Sequence, residues 1–233
     1  MPNRLILLTD NAFSEDLRAR LVAPNAGLNI DIAGSQAELA AALSQSSSPT
    51  RLMAFGSDVI VPPEVLNSLP GPAYNFHPGP PEYRGLFPSV FALYDNAANF
   101  GVTCHEMTAT VDSGAIVAVQ RFAIPANANR GVLDALTYRA MLDLVEKCAP
   151  TLCDTTKPLA HIAETWAGPI RRRSDFNALC QLPPNVTETE FQRRYRAIGE
   201  GPHHALSFEM FGQRFKLDNR REGPVVRGGR EIS

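Results

Sequence analysis

The stretch "LMAFGSDVIVPPEVLNSLPGPAYNFHPG", residues 52–79, places short apolar runs at 52–55 and 73–76 on either side of a Pro-Pro-Glu-Val-Leu segment at 62–66. A proline in the first turn of a helix costs nothing, because its missing N–H has no intrahelical partner there. The stretch therefore reads as strand, helix, strand, and a helical crossover makes the two strands parallel neighbours. The same alternation continues toward the N-terminus. Residues 4–9 form an apolar run, 14–22 have helical spacing at Leu17 and Leu21, and 28–32 make a second strand. Ser35 caps an Ala/Leu-rich helix over 36–43, with the serines of 44–48 as the connecting loop. The expectation is an α/β fold, with a mostly parallel sheet covered by helices on both faces.

Beyond residue 100 the pattern changes. The segments GVTCHEMTA and GAIVAVQRFAIP lie close in sequence and are β-rich, which brings an antiparallel strand into the sheet. A helix then opens at Asn129 and stops at Pro150, with Val132, Leu133, Leu136, Ala140, Met141, Leu144, Val145 and Cys148 on its core face. After Trp166 the chain turns basic and Pro-rich, so the boundary between residues 1–165, a larger first domain, and 166–233, a small α+β extension, falls there. Thr187 and Glu190 make a capping box ahead of Phe191, Tyr195 and Ile198. The alternating runs 206–210 and 214–217 around Gly212 form a β-hairpin, and residues 226–230 read as frayed.

The 233 residues are 44% apolar and 20% charged, an ordinary globular composition. No apolar run approaches a membrane span, and the first residues lack a secretory pattern, so a cytoplasmic protein is expected. The four cysteines, Cys104, Cys148, Cys153 and Cys180, lack ligand spacing and read as reduced core thiols, with no metal expected. Residues 1–169 carry 10 basic and 16 acidic side chains, and 170–233 carry 12 and 8. The net charge of -2 argues against a broad polyanion-binding surface, and hence against nucleic acid as a partner.

Two polar side chains end the run at 73–76. Asn75 and His77, two apart on a strand, share a face, and open parallel sheets bind ligands beyond the carboxyl ends of their strands. An amide and an imidazole can hold an oxygen that turns negative, as in attack of an amine on an acyl carbon. Asp112, in the small-residue turn TATVDSGAI, is the candidate for handling the proton the amine must lose.

Asn75-Phe76-His77-Pro78, Pro81-Glu82-Tyr83-Arg84-Gly85, Gly101-Val102-Thr103 and Val111-Asp112-Ser113-Gly114-Ala115-Ile116, in that order, resemble the signature of the folate-dependent formyltransferases. That family includes the glycinamide ribonucleotide, methionyl-tRNA and sugar-nucleotide enzymes. The resemblance implies a Rossmann-like catalytic domain, 10-formyltetrahydrofolate as co-substrate, and Asn75, His77 and Asp112 as the catalytic trio. It implies a donor pocket from the loops holding Phe55, Gly56, Ser57, Val59 and Ile60, and Met107, Thr108, Ala109 and Thr110. Tyr83, Arg84, Gly85 and His105 are the implied acceptor-side residues. One departure stands out: many relatives have Ser-Leu-Leu-Pro after His-Pro, whereas this chain has Gly79-Pro80-Pro81, which puts acceptor choice in question.

The segment from Gly101 is most similar to the sugar-nucleotide branch, so the expected acceptor is a nucleotide-linked amino sugar, with Arg171, Arg172 and Arg173 as candidates for its phosphates. Methionyl-tRNA or another amine is the alternative acceptor. Two further alternatives are a formyltetrahydrofolate hydrolase or hydrogenase-maturation-like enzyme, and a catalytically silent folate or nucleotide binding module. The apolar side of the hairpin, with Phe208, Met210 and Phe215, has two readings: a homodimer surface, or a face buried against the main domain.

Overall fold

A computed structural model describes residues 4–45, 50–201 and 204–218. The six strands that organise it are β1 (Arg4–Thr9), β2 (Asn29–Ala33), β3 (Thr50–Phe55), β4 (Tyr74–His77), β6 (Asn99–Glu106) and β7 (Ile116–Ala123), with the two-residue β5 (Arg84–Gly85) lying outside this sheet. Their order is β2-β1-β3-β4-β6-β7. The first four are parallel, as the strand-helix-strand pattern requires, while β6 runs antiparallel to both β4 and β7.

Strand alternation divides the apolar residues between two cores. Leu5 and Leu7 of β1 and Met53 and Phe55 of β3 pack with α1 (Asn11–Val22) and α5 (Arg130–Leu152). Ile6, Leu8, Leu52 and Ala54 face the other way, into the core that includes Leu39 and Ala42 of α2 (Gln36–Ser44) and has Val65 and Leu66 of α3 (Pro63–Ser68) packed against it. A sheet that buries both faces needs continuous apolar strands, which is why β1 and β3 are buried throughout. Ser35 caps α2 by accepting from the Glu38 amide, as its position predicts.

The sheet changes character at β4. Tyr74 and Phe76 join the α5 side, as do Val102 and Cys104 of β6. Asn75, His77, Thr103 and His105 therefore share the opposite face, paired Asn75 with His105 and His77 with Thr103. This polar strip is the platform for the site.

The segment from 166 on packs beside α4 (Pro88–Tyr94). Phe176 and Leu179 of α6 (Arg173–Cys180), Ala197 and Ile198 of α7 (Glu188–Ile198), and Leu206 share one apolar cluster with Val90, Phe91 and Phe100. A short β8 (Ile170–Arg171) pairs in parallel with β5. The hairpin consists of β9 (Ser207–Met210) and β10 (Gln213–Lys216), antiparallel as predicted.

Three readings need correction. Pro150 does not stop α5, which continues to Leu152. A proline removes the N–H that would reach back four residues, and this close to the end the loss is tolerated. Val132 is 45% exposed instead of core-facing, and Thr137 completes the buried stripe. Ser44 belongs to α2, while Ser46, Ser47 and Ser48 lie outside the described residues, as do residues 226–230. All four cysteines are buried free thiols, and no helix among the described residues is long and apolar enough to cross a membrane.

Candidate active site

Asp112 brings the site together. It reaches the polar strip from the turn between β6 and β7, where it holds φ at 47°, a left-handed conformation to which Asp is better suited than most side chains. Its carboxylate is 3% exposed and lies between two imidazoles: Oδ2 is 3.3 Å from His77 Nδ1, and Oδ1 is 3.3 Å from His105 Nε2. The Gly85 amide donates to Oδ2 at 2.9 Å, and Arg84 Nε donates to the Asp112 main-chain oxygen at 2.7 Å. Oδ1 is buried and lies beside His105 Nε2 without a hydrogen bond of good geometry.

Main-chain carbonyls set the tautomers of both rings. His77 Nε2 donates to the Tyr83 carbonyl at 2.8 Å, and His105 Nδ1 donates to that of Glu106 at 2.8 Å. In a neutral imidazole that leaves His77 Nδ1 and His105 Nε2 without hydrogens, both directed at Asp112. His105 Nε2 can then accept from Asn75 Nδ2, 3.2 Å away. Asn75 is half-buried and keeps a second amide hydrogen, while both histidines are almost fully enclosed.

Burial lowers the pKa of His77, against the pull of Asp112 and the Tyr83 carbonyl. Burial pushes the Asp112 carboxyl up, but His105, His77 and the Gly85 amide outweigh it and hold the group below the ordinary carboxylate value. A neutral His77 beside an ionised Asp112 is the resulting state. The space between Nδ1 and Oδ2 then has two acceptors and no proton, and is a ready destination for one.

The departure at Gly79-Pro80-Pro81 has a local cause. The loop folds back so that the Tyr83 carbonyl reaches His77, and a Cβ on Gly79 would lie 2.7 Å from His77 Nε2 and 2.7 Å from that carbonyl. Thr103 Oγ1 anchors the same loop by donating to the Gly79 carbonyl at 2.8 Å.

The other expected residues fall into two groups. Tyr83, Arg84, Gly85 and His105 touch the trio itself, as described above. The loop of Gly56, Ser57, Val59 and Ile60 leaves the carboxyl end of β3, beside that of β4. Ile60 is 66% exposed there, whereas Phe55 is buried between Phe13 and Phe76. Met107 and Val59 pack against the same apolar cluster. Thr108, Ala109 and Thr110 are exposed in the turn leading to Asp112, with Thr108 Oγ1 bonded to the Thr110 carbonyl at 2.9 Å. A cavity of about 430 Å³ lined by residues of β7 and α5 contains none of these side chains, so the site is defined by the polar cluster.

Sequence reasoning missed the part played by Trp166. Its ring meets His105 edge-to-face at 4.9 Å and His77 at 5.9 Å, and Nε1 donates to the Gly114 carbonyl at 2.7 Å.

Residues 34–139, which contain the entire polar strip and Asp112, match the family model described as formyl transferase. A sugar N-formyltransferase from a Shewanella species is 21% identical with a TM-score of 0.74, over 95% of this chain and 99% of that one. A 4-N formyltransferase from Francisella tularensis is 18% identical with a TM-score of 0.75, over 95% and 98%. An N-formyltransferase from Helicobacter canadensis, solved in complex with folinic acid and dTDP-3-aminofucose, is 17% identical with a TM-score of 0.62, over 83% and 79%. These likenesses show the fold.

Proposed function

We propose that the protein transfers a formyl group from 10-formyltetrahydrofolate to the primary amine of a nucleotide-linked amino sugar. The observation that carries this reading is the convergence of Asn75, His77, His105 and Asp112 on one polar strip at the carboxyl end of β4. Formyl transfer to an amine needs a donor for the oxygen that gains charge and an acceptor for the proton the nitrogen sheds. Asn75, with a spare amide hydrogen and partial exposure, is the oxygen donor. His77 Nδ1, backed by Asp112, takes the proton, because its Nε2 hydrogen is committed to Tyr83.

The donor supplies the formyl carbon. The loops of residues 55–60 and 107–110 are the proposed bed for its flat ring, through main-chain groups and an apolar rim of Val59, Ile60 and Met107. As the C–N bond to the amine forms, the carbonyl electrons move onto the formyl oxygen facing Asn75, and the amine proton passes to His77. That proton then leaves with the departing nitrogen, which restores neutral His77.

The amino-sugar acceptor is supported by the resemblance of the Gly101 segment and by the dTDP-3-aminofucose bound in the Helicobacter canadensis enzyme. Arg171, in β8 beside Gly85, is the arginine best placed to meet an acceptor phosphate. A homodimer through the hairpin is the corresponding assembly, since Phe208, Met210 and Phe215 are each 39–47% exposed. The test is incubation of the protein with 10-formyltetrahydrofolate and a panel of nucleotide-linked amino sugars, with methionyl-tRNA and buffer alone as further arms, read by mass spectrometry. A mass gain of one formyl group on an amino sugar supports the reading. Transfer only to methionyl-tRNA, release of formate without an acceptor, or binding of the donor without turnover would each replace it.

A further inference from the structure

Segment 154–169, which links α5 to β8, crosses the site as a strap held at several separate points. The Leu159 amide donates to Tyr74 Oη at 2.8 Å, the Ile162 amide to the Ile116 carbonyl at 2.9 Å, and the Ala167 amide to the Pro81 carbonyl at 2.9 Å. Glu164 accepts two hydrogen bonds from Arg121, each 2.7 Å. Those anchors fix Trp166, whose Nε1 is bonded to Gly114, two residues past Asp112. Its ring lies against both imidazoles, and the Arg84 guanidinium sits 5.6 Å from its centroid.

We propose that Trp166 is a positioning residue: its indole holds the His77 and His105 rings edge-on to the Asp112 carboxylate and keeps water out of the space where the transferred proton is received. The role rests on the formyl-transfer reading of His77, but the contact itself can be tested without substrate. Edge-to-face packing of this kind restrains ring orientation, and an indole covers enough area to exclude several waters. The enclosure has a consequence for His77, whose titratable and charged neighbours are Asp112, His105 and Arg84. Burial holds that ring neutral. With the indole gone, water can solvate the imidazolium while Asp112 still attracts it, so His77 would protonate at a higher pH.

Two substitutions separate the ring from its hydrogen bond. Trp166→Phe keeps an aromatic edge and loses the donor to Gly114; Trp166→Gln keeps a donor and loses the ring. In the protein without ligands, imidazole nitrogen shifts followed by NMR should show His77 titrating at least ~0.5 pH units higher in Trp166→Gln, and within ~0.2 units of the parent in Trp166→Phe. The acid limb of kcat/KM should move up in step in Trp166→Gln, with KM changing less than kcat. A His77 titration unchanged in a folded Trp166→Gln protein would overturn the proposal, and so would an equal shift in both variants, which would assign the effect to the hydrogen bond. Trp166→Ala provides the same comparison if the Gln variant does not fold. Failure of the parent protein to transfer a formyl group to any amine would reject the functional reading instead, and the NMR comparison distinguishes the two failures.

Discussion

Asp112 Oδ2 lies 3.3 Å from His77 Nδ1, with both side chains almost wholly out of water. His77 already donates its Nε2 hydrogen to Tyr83, so the facing nitrogen and oxygen are both acceptors. A buried contact of that kind is unfavourable until a proton arrives, which makes it suited to receiving one.

Removing the negative charge from the pair should reveal its part in the reaction. Asp112→Asn keeps the shape of the side chain but cannot stabilise the imidazolium, and kcat should fall by at least ~100-fold, about 2.7 kcal/mol of barrier. Its melting temperature should fall only modestly, because the amide oxygen still accepts from Gly85 while the stability carried by the ionised carboxylate is lost. Turnover within a few-fold of the parent would remove Asp112 from the chemistry.

The same enclosure should appear in the pH dependence of stability. His77 has a folded pKa lowered from 6.5, so as the pH falls below about 6.5 the unfolded chain takes up a proton that the native ring resists, and stability declines. Asp112 works at lower pH: its depressed pKa contributes stability above 3.8 that is lost only as pH falls through the folded value. Thermal unfolding between pH 8 and 5 should therefore show a decline that is shallower in His77→Gln. Identical slopes would mean that His77 is not held neutral.

How far these features can be read from the chain depends on how local they are. Ser35 and Thr187 cap their helices with their own side chains, and the apolar runs of β1 and β3 are continuous in sequence, so both were legible. The helix α4 was not, because Pro88 to Leu93 are all buried and carry no polar face to set a period, and its cap is Phe87 at φ 60°. Within the site, Asn75, His77 and Asp112 stand in recognisable segments. The place of His105 beside them comes from the antiparallel pairing of β4 with β6, and that of Trp166 from a strap anchored across the fold, and neither arrangement has a local signature.

Glycine substitutions distinguish contacts with side chains from contacts with main chain. A Cβ on Gly79 would press on His77 Nε2, the Tyr83 carbonyl and Pro88, each within 2.7–2.8 Å. Gly79→Ala should lower stability by about 1–3 kcal/mol, as overpacking does, and reduce kcat further by displacing the bond that sets the His77 tautomer. A Cβ on Gly114 would stand 1.9 Å from the Glu106 carbonyl, a main-chain atom with no free path. Gly114→Ala should be the more destabilising of the two in chemical denaturation. A reversed order would show that the turn carrying Asp112 yields more readily than the loop over His77.

The hairpin tip provides a prediction independent of the chemistry. Phe211 and Gly212 connect β9 to β10 with φ of 53° and 73°, and two central residues with positive φ are the mark of a type I′ turn. Glycine suits that position; phenylalanine does not, and it has little burial to offset the strain because Phe211 is 94% exposed. Asn favours the left-handed region and precedes Gly in the preferred form of this turn. Phe211→Asn should thus raise unfolding stability by about 0.5–1 kcal/mol and leave formyl transfer unchanged. Lower stability in the variant, at a protein concentration where both forms have the same sedimentation coefficient, would show that the exposed ring contributes more than its backbone strain costs.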